Sequence, residues 1–85
     1  MNRTKLINEL LQQFDPIELL IENQSASHAG HGGDDGSGET HFHVVLASAQ
    51  FVGLSRLAAH RAVMTALEPA FKAGVHAITL SLRDK

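Results

Sequence analysis

The chain has 85 residues, 44% of them hydrophobic, and a formal net charge of −2 at pH 7. This length predicts a single domain over residues 1–85 with one compact core, because so short a chain buries only about 60–65% of its unfolded surface. This slightly negative net charge does not favour general binding to nucleic acids or membranes, because proteins that bind them usually carry an excess of basic residues. The absence of cysteine excludes disulfides, a thiol nucleophile and any metal site built only from this chain's thiolates.

The opening stretch, "MNRTKLINELLQQF", is amphipathic rather than continuously apolar. No apolar run approaches the roughly 18 residues needed to cross a bilayer. We therefore expect a protein without membrane association, located in the cytoplasm of a bacterium or, in a eukaryote, in an organelle matrix after processing.

The first element predicted is a helix over residues 4–14. Its large apolar side chains recur at helical spacing and form one stripe: Leu6, Ile7, Leu10, Leu11 and Phe14. Asp15 and Pro16 end this helix. The short apolar run that follows, residues 17–21, precedes the polar "ENQS" and predicts a first strand.

A loop at about residues 25–39 comes next, with the sequence "SASHAGHGGDDGSG" over residues 25–38. It contains no large apolar side chain and is typical of a solvated insertion.

The segment "ETHFHVVLAS", which follows the loop, alternates between apolar and polar residues and predicts a second strand. One face carries Phe42, Val44 and Leu46, and the other face carries His41, His43 and Val45.

Residues 54–74 predict a long helix that begins after Ser55 as its N-cap and ends at Gly74. Pro69 should kink this helix or begin a separate final turn. The large side chains of this helix recur at spacings of three and four and predict its apolar stripe: Leu57, Met64, Leu67 and Phe71. The alternating segment "VHAITLSL", residues 75–82, predicts a third strand.

The order helix, strand, strand, helix, strand predicts an α/β (α+β) fold with a three-stranded mixed sheet covered by helices on one face. The helical crossover between the second and third strands favours a parallel, right-handed unit. Parallel strands begin at the same end of a sheet. The loop that carries His28 and His31 should therefore lie over the end where His76 enters the third strand.

Six histidines are the main candidates for chemistry, because neutral imidazole binds zinc, copper and iron. His60 lies in register with the predicted helix stripe, which favours a partly buried structural role. His41 and His43 share the outer strand face, where polar side chains normally meet solvent. The remaining three, His28, His31 and His76, are the candidate metal ligands, and together they would suit a mononuclear metal site.

Four short motifs occur in a characteristic order: "ETHF", S-x-x-F-x-G-x-S at residues 48–55, "HR" at residues 60–61, and "VHA" at residues 75–77. With these motifs the chain resembles the BolA-like family, and "NQSASHAGH" is similar to the histidine-bearing loop of some members. The resemblance implies a fold similar to a class II KH domain, in agreement with the predicted order of elements.

The resemblance also implies a function. BolA-like proteins pair with a monothiol glutaredoxin around a shared [2Fe-2S] cluster, in iron-sulfur cluster assembly and trafficking or in iron regulation. The glutaredoxin supplies a cysteine and a bound glutathione supplies a second thiolate. Carried over by position, His28 and His76 would be the ligands from this chain, with His31 as the alternative in the loop. We expect a monomer that binds no cluster stably when alone and has no enzymatic activity.

The chain departs from the family at three positions where charged residues are common, which here are Val52, Leu54 and Ala59. Their loss weakens the alternative role, a KH-like nucleic-acid-binding transcriptional regulator. That role would depend on a thin basic set formed by Arg56, Arg61 and Lys72. The apolar "FVGLS" suits either a protein contact or, more commonly, a buried turn.

Overall fold

The structure is a computed structural model that describes residues 2–25 and 38–85. The described elements run in the predicted order, with the final helical turn separate: α1 (Arg3–Leu11), β1 (Glu18–Asn23), β2 (His41–Ala47), α2 (Arg56–Ala66), α3 (Glu68–Lys72) and β3 (Ala77–Arg83). Two 3₁₀ turns, Gln12–Phe14 and Ala49–Phe51, follow α1 and β2. No helix of the described part is both long and apolar enough to span a bilayer.

The three strands form one mixed sheet in the order β1-β2-β3. Strand β1 pairs antiparallel with β2, and β2 pairs parallel with β3 across the α2–α3 crossover. In the parallel pair His41 lies opposite Ala77, and Ala47 lies opposite Arg83. The predicted fold class and the parallel arrangement of the last two strands are confirmed.

The core lies between the sheet and the helices. Strand β2 contributes the face predicted from its alternation, and Phe42, Val44 and Leu46 are almost fully buried. The helices cover this face with Ile7, Leu11, Val63, Leu67 and Ala70. Burial of apolar surface at about 25 cal/mol per Å² makes this contact the main source of stability.

The predicted apolar stripe is confirmed at Leu67, which is buried, and at Met64 and Phe71, which pack against the core, but it is wrong at Leu57. Leu57 is 57% exposed and His60 is exposed, whereas Ala59 and Val63 face the core. Helix α2 packs on the sheet partly through Ala59, whose small side chain permits close approach. A pattern that counts only large apolar residues gives no weight to such a position, and so His60 is not the partly buried structural residue that we expected.

The first half of the S-x-x-F-x-G-x-S motif connects the end of β2 to the 3₁₀ turn that follows α1. The Ser48 hydroxyl is fully buried, donates a hydrogen bond to the carbonyl of Phe14, and accepts one from the Gln50 amide at 3.1 Å. Phe51 is buried with its ring centroid 5.5 Å from that of Phe14. These positions are therefore explained by packing and hydrogen bonding.

The second half of the motif turns the chain into α2. Gly53 has φ of +84°, a left-handed conformation that a side chain would strain. The Ser55 hydroxyl caps α2 by accepting a hydrogen bond from the Ala58 amide at 3.0 Å, as predicted. Val52 and Leu54 are 65% and 47% exposed, so this apolar stretch is only in part the buried turn that was expected.

We predict that Ser48→Ala lowers the free energy of unfolding by about 1–3 kcal/mol, because it leaves the Phe14 carbonyl without this bond and removes a cap. Urea denaturation followed by circular dichroism measures the loss. Ser81→Ala, at an exposed position of β3, is the matched control and should change stability by less than about 0.5 kcal/mol. Equal stabilities for the two variants would show that the buried bond contributes little.

Candidate metal site at the strand entries

The candidate site lies where β2 and β3 begin side by side. His41 is the first residue of β2, and His76 immediately precedes β3. The carbonyl of Thr40 accepts hydrogen bonds from the amides of both His76, at 2.8 Å, and Ala77, at 3.1 Å. The ring centroids of the two histidines are 5.3 Å apart, with the ring planes inclined by 46°. For the described residues, the expected meeting of the loop exit with His76 is confirmed.

The two histidines differ in exposure. His41 is 7% exposed, and its Nδ1 forms a hydrogen bond of 2.9 Å with the Oγ1 of Thr40, which is itself fully buried. His76 is exposed. The site therefore combines one imidazole fixed inside the protein with one that faces solvent and can reach a ligand outside the chain.

The solvated position expected for His41 is wrong. The outer face of a sheet is usually wet, but His41 lies at the start of β2, next to His76 and Ser25, and is buried there. The parallel register contained a signal that sequence reasoning missed, because the first residue of β2 must lie beside the residue that enters β3.

Hydrogen bonds hold both ends of the loop at this site. The buried Ser25 hydroxyl accepts hydrogen bonds from the amides of Thr40, at 2.8 Å, and His41, at 3.1 Å. The Asn23 side chain accepts from the Ser25 amide at 2.9 Å and donates to the Gly38 carbonyl at 2.7 Å. The segment between Ser25 and Gly38 thus starts and ends next to His41.

The predicted loop ligands His28 and His31 lie outside the described residues. Their assignment therefore remains a prediction. The structure does describe the residues that anchor the two ends of their loop, and these residues lie near His76.

Arg3, the first residue of α1, connects three parts of the chain near the site. Its Nε donates to the Ala73 carbonyl at 2.9 Å, and its Nη1 donates to the Glu39 carbonyl at 3.1 Å. Its own amide donates to the Glu39 carboxylate at 3.0 Å. A Cβ on Gly74 would overlap the guanidinium, so the absence of a side chain there makes room for this contact. Sequence patterns gave no signal for the role of Arg3.

The other two histidines of the described residues do not belong to this pair. His43 is half-buried on the open face of the sheet and forms a hydrogen bond of 2.6 Å with Thr79, and His60 is exposed on α2. Within residues 2–25 and 38–85, no three histidine, aspartate or glutamate side chains are grouped so that they could hold a metal ion. The described site therefore supplies imidazoles but not a complete set of metal ligands.

The basic set proposed for nucleic acid does not form one patch. Arg56 and Arg61 are exposed on the same helix, but a separation of five residues turns their side chains about 140° apart. Lys72 is exposed at the end of α3. The geometry gives this alternative no support.

We predict that Arg3→Ala lowers the free energy of unfolding by about 1–3 kcal/mol, because it removes side-chain hydrogen bonds to two different segments. Since Ala73 and Glu39 flank the site in the chain, the NMR signals of the His76 and His41 rings should shift as well. Arg61→Ala, at an exposed helix position, is the matched control. Unchanged histidine signals in Arg3→Ala would contradict a role for Arg3 in shaping the site.

Comparisons with known proteins agree with the geometry. A family model described as "BolA-like protein" matches residues 10–85. An uncharacterized Sinorhizobium protein is 42% identical over 82 residues, which cover 94% of this chain and 88% of that protein. Other relatives are longer, and the matched part covers 51% of the chloroplastic BOLA1 protein of Arabidopsis thaliana, at 39% identity.

Solved structures show the same similarity. BolA1 from Arabidopsis thaliana superposes with a TM-score of 0.85 at 37% identity, covering 98% of this chain and 92% of that one. The BolA domain of SufE1 from the same plant gives a TM-score of 0.85 at 36% identity, with the same two coverages. The chain belongs to the BolA-like family.

Proposed function

We propose that this protein is a non-enzymatic partner of a monothiol glutaredoxin, with which it shares a [2Fe-2S] cluster. His76 and a loop histidine are the ligands from this chain, with His28 preferred and His31 as the alternative. The role would be iron-sulfur cluster assembly and trafficking, or iron regulation. The observation that carries the proposal is the exposed imidazole of His76 beside the buried His41, at the point where the loop enters β2.

The chemistry of the ligand set supports a shared site. The chain contains no cysteine, and its described residues hold no group of three metal-binding side chains. A [2Fe-2S] cluster needs four ligands, so thiolates must come from outside, as the glutaredoxin cysteine and glutathione would provide them. Two imidazoles in place of two thiolates reduce the negative charge around the irons and raise the reduction potential.

The residues around His76 hold it without binding the cluster themselves. The Thr40 carbonyl fixes the His76 backbone, and the His41 ring packs against the His76 ring. Because the His41 Nδ1 is already hydrogen-bonded to Thr40 inside the protein, we assign His41 a supporting role. Groups that orient a metal-binding histidine in this way strongly affect metal affinity.

The number of residues that separate each histidine from Ser25 favours His28 over His31 as the loop ligand. His28 follows the buried Ser25 by three residues, whereas His31 follows it by six. Ser25 is bonded to the first residues of β2, next to His41, so we prefer His28, which has the shorter connection along the chain to this point.

Two relatives support the cellular context. A BolA domain forms part of a plant protein named SufE-like protein 1, a name consistent with an iron-sulfur-related role. That protein is described as chloroplastic or mitochondrial, and the Arabidopsis BOLA1 protein is described as chloroplastic. For this chain we propose the cytoplasm of a bacterium or, in a eukaryote, an organelle matrix, and a monomeric state in the absence of glutaredoxin.

The test mixes the protein with a monothiol glutaredoxin that carries glutathione and a [2Fe-2S] cluster, and records visible circular dichroism. The wild-type protein should produce a heterodimer spectrum distinct from that of the glutaredoxin homodimer. His76→Ala should weaken formation of this complex by at least about 10- to 100-fold, because it removes a ligand. His28→Ala should change the spectrum, and His31→Ala should leave it unchanged.

The matched control is His60→Ala, which removes an exposed histidine from α2 and should behave as wild type. If His76→Ala and His28→Ala both give the wild-type spectrum, the ligand assignment is wrong. If zinc alone binds tightly in the absence of glutaredoxin and this binding needs His28, His31 and His76, a mononuclear metal site replaces the proposal.

A further inference from the structure

We infer that a second surface of the protein binds an extended acidic segment of a partner protein, which adds to the sheet as a fourth strand beside β3. The surface is a groove of about 690 Å³ between the N-terminal half of α2 and the C-terminal half of β3, which we call the edge groove. Its apolar lining is Phe51, Leu54, Ala59, Leu80 and Leu82. This inference does not depend on the proposed cluster.

The backbone of β3 faces the edge groove with groups that can pair with a strand. Among the described strands, β3 is an edge of the sheet and pairs only with β2. The amide of Ala77 and the carbonyl of Arg83 both point inward, since they bond to the Thr40 carbonyl and the Ser48 amide. Because hydrogen-bonding direction alternates along a strand, the amides and carbonyls of Leu80 and Leu82 point outward, into the groove.

The apolar lining suits alternate side chains of an added strand. Leu80 and Leu82 are half-buried and form one wall, and Ala59 is buried beneath the groove. Leu54 is 47% exposed and forms part of the opposite wall. An added strand would direct every second side chain toward the helices, and apolar residues at those positions would cover these leucines.

One of the large apolar side chains that the described residues expose, Leu54, lines the edge groove. The described residues leave five of them exposed, and three of these lie close together in the chain: Val52, Leu54 and Leu57. Charged residues are common in the family at the first two of these positions, so this chain has a more apolar surface there. An exposed apolar side chain on the wall of a groove, as Leu54 is, offers a contact for a partner protein.

The charged side chains that line the edge groove determine which added strand it favours. The groove is lined by the basic side chains Arg56, Arg83 and Lys85 and by one acidic side chain, Asp84. Arg83 is paired with Glu18 across the open face. The other charged side chains of the lining are Arg56, Lys85 and Asp84, which together carry an excess of one positive charge. Carboxylates between the apolar residues of the added strand would complement this excess. A nucleic-acid strand has no peptide backbone to pair with Leu80 and Leu82.

The probe for the experiment is a fluorescent peptide of alternating glutamate and valine, about seven residues long, which is the length of an ordinary strand. Fluorescence anisotropy measures its binding to the full chain, and amide hydrogen exchange of Leu80 and Leu82 locates it. We expect binding that protects both amides. A peptide with proline at its centre should not bind, because proline removes an amide donor, and a lysine-valine peptide should bind more weakly.

Leu54→Asp should weaken binding of the glutamate-valine peptide about tenfold or more, since it puts a like charge on an apolar wall of the groove. Leu20→Asp is the matched control, because Leu20 is 58% exposed on the open face of the sheet, and it should bind as wild type. Leu54→Ala, which keeps the wall neutral, should weaken binding less than Leu54→Asp and guards against misfolding of the charged variant.

Several outcomes would overturn the inference. These are equal binding of the proline and glutamate-valine peptides, wild-type affinity in Leu54→Asp, and protection of Leu80 and Leu82 by a single-stranded oligonucleotide but not by the peptide. Sedimentation velocity provides a further check. A wild-type dimer that Leu54→Asp dissociates and that the peptide leaves intact would assign the edge groove to a second copy of the chain.

Discussion

The carbonyl of Thr40 accepts hydrogen bonds from two successive amides, those of His76 and Ala77, and the candidate site depends on this contact. It starts the parallel pairing of β2 with β3 and sets the register that places His41 opposite Ala77. The long crossover through α2 and α3 returns the chain to this point. Such a connection is needed because parallel strands cannot be joined by a tight turn. The exposed His76 ring therefore lies beside the loop exit because of the topology of the sheet.

Three of the four motifs that mark the family fall into two groups when they are placed on the structure. The residues of S-x-x-F-x-G-x-S fasten β2 to α2 through the buried Ser48, the Phe51 ring and the Ser55 cap. The roles of these residues are structural. "ETHF" and "VHA" lie together at the strand entries, where they place His41 beside His76. Of these three motifs, only "ETHF" and "VHA" lie at the candidate metal site.

The order of elements, the mixed sheet and the approach of the loop exit to His76 could be predicted, because alternation and chain length constrain them strongly. The first turn of the α2 stripe could not, because a small residue, Ala59, makes the close contact that a pattern of large side chains assigns to Leu57. The burial of His41 depends on register, and the role of Arg3 depends on hydrogen bonds to carbonyls far along the chain, which leave no periodic signal in sequence. The loop ligands themselves stay a prediction.

The proposed function requires that the imidazole of His76 binds an iron of a cluster held jointly with glutaredoxin. Electron-nuclear double resonance can detect this bond in the reduced complex prepared with ¹⁵N-histidine in this chain and unlabelled glutaredoxin. We expect strong ¹⁵N couplings to the cluster, part of which disappears in His76→Ala while His60→Ala leaves them all unchanged. A wild-type complex without ¹⁵N coupling, or couplings that persist in full in His76→Ala, would contradict it.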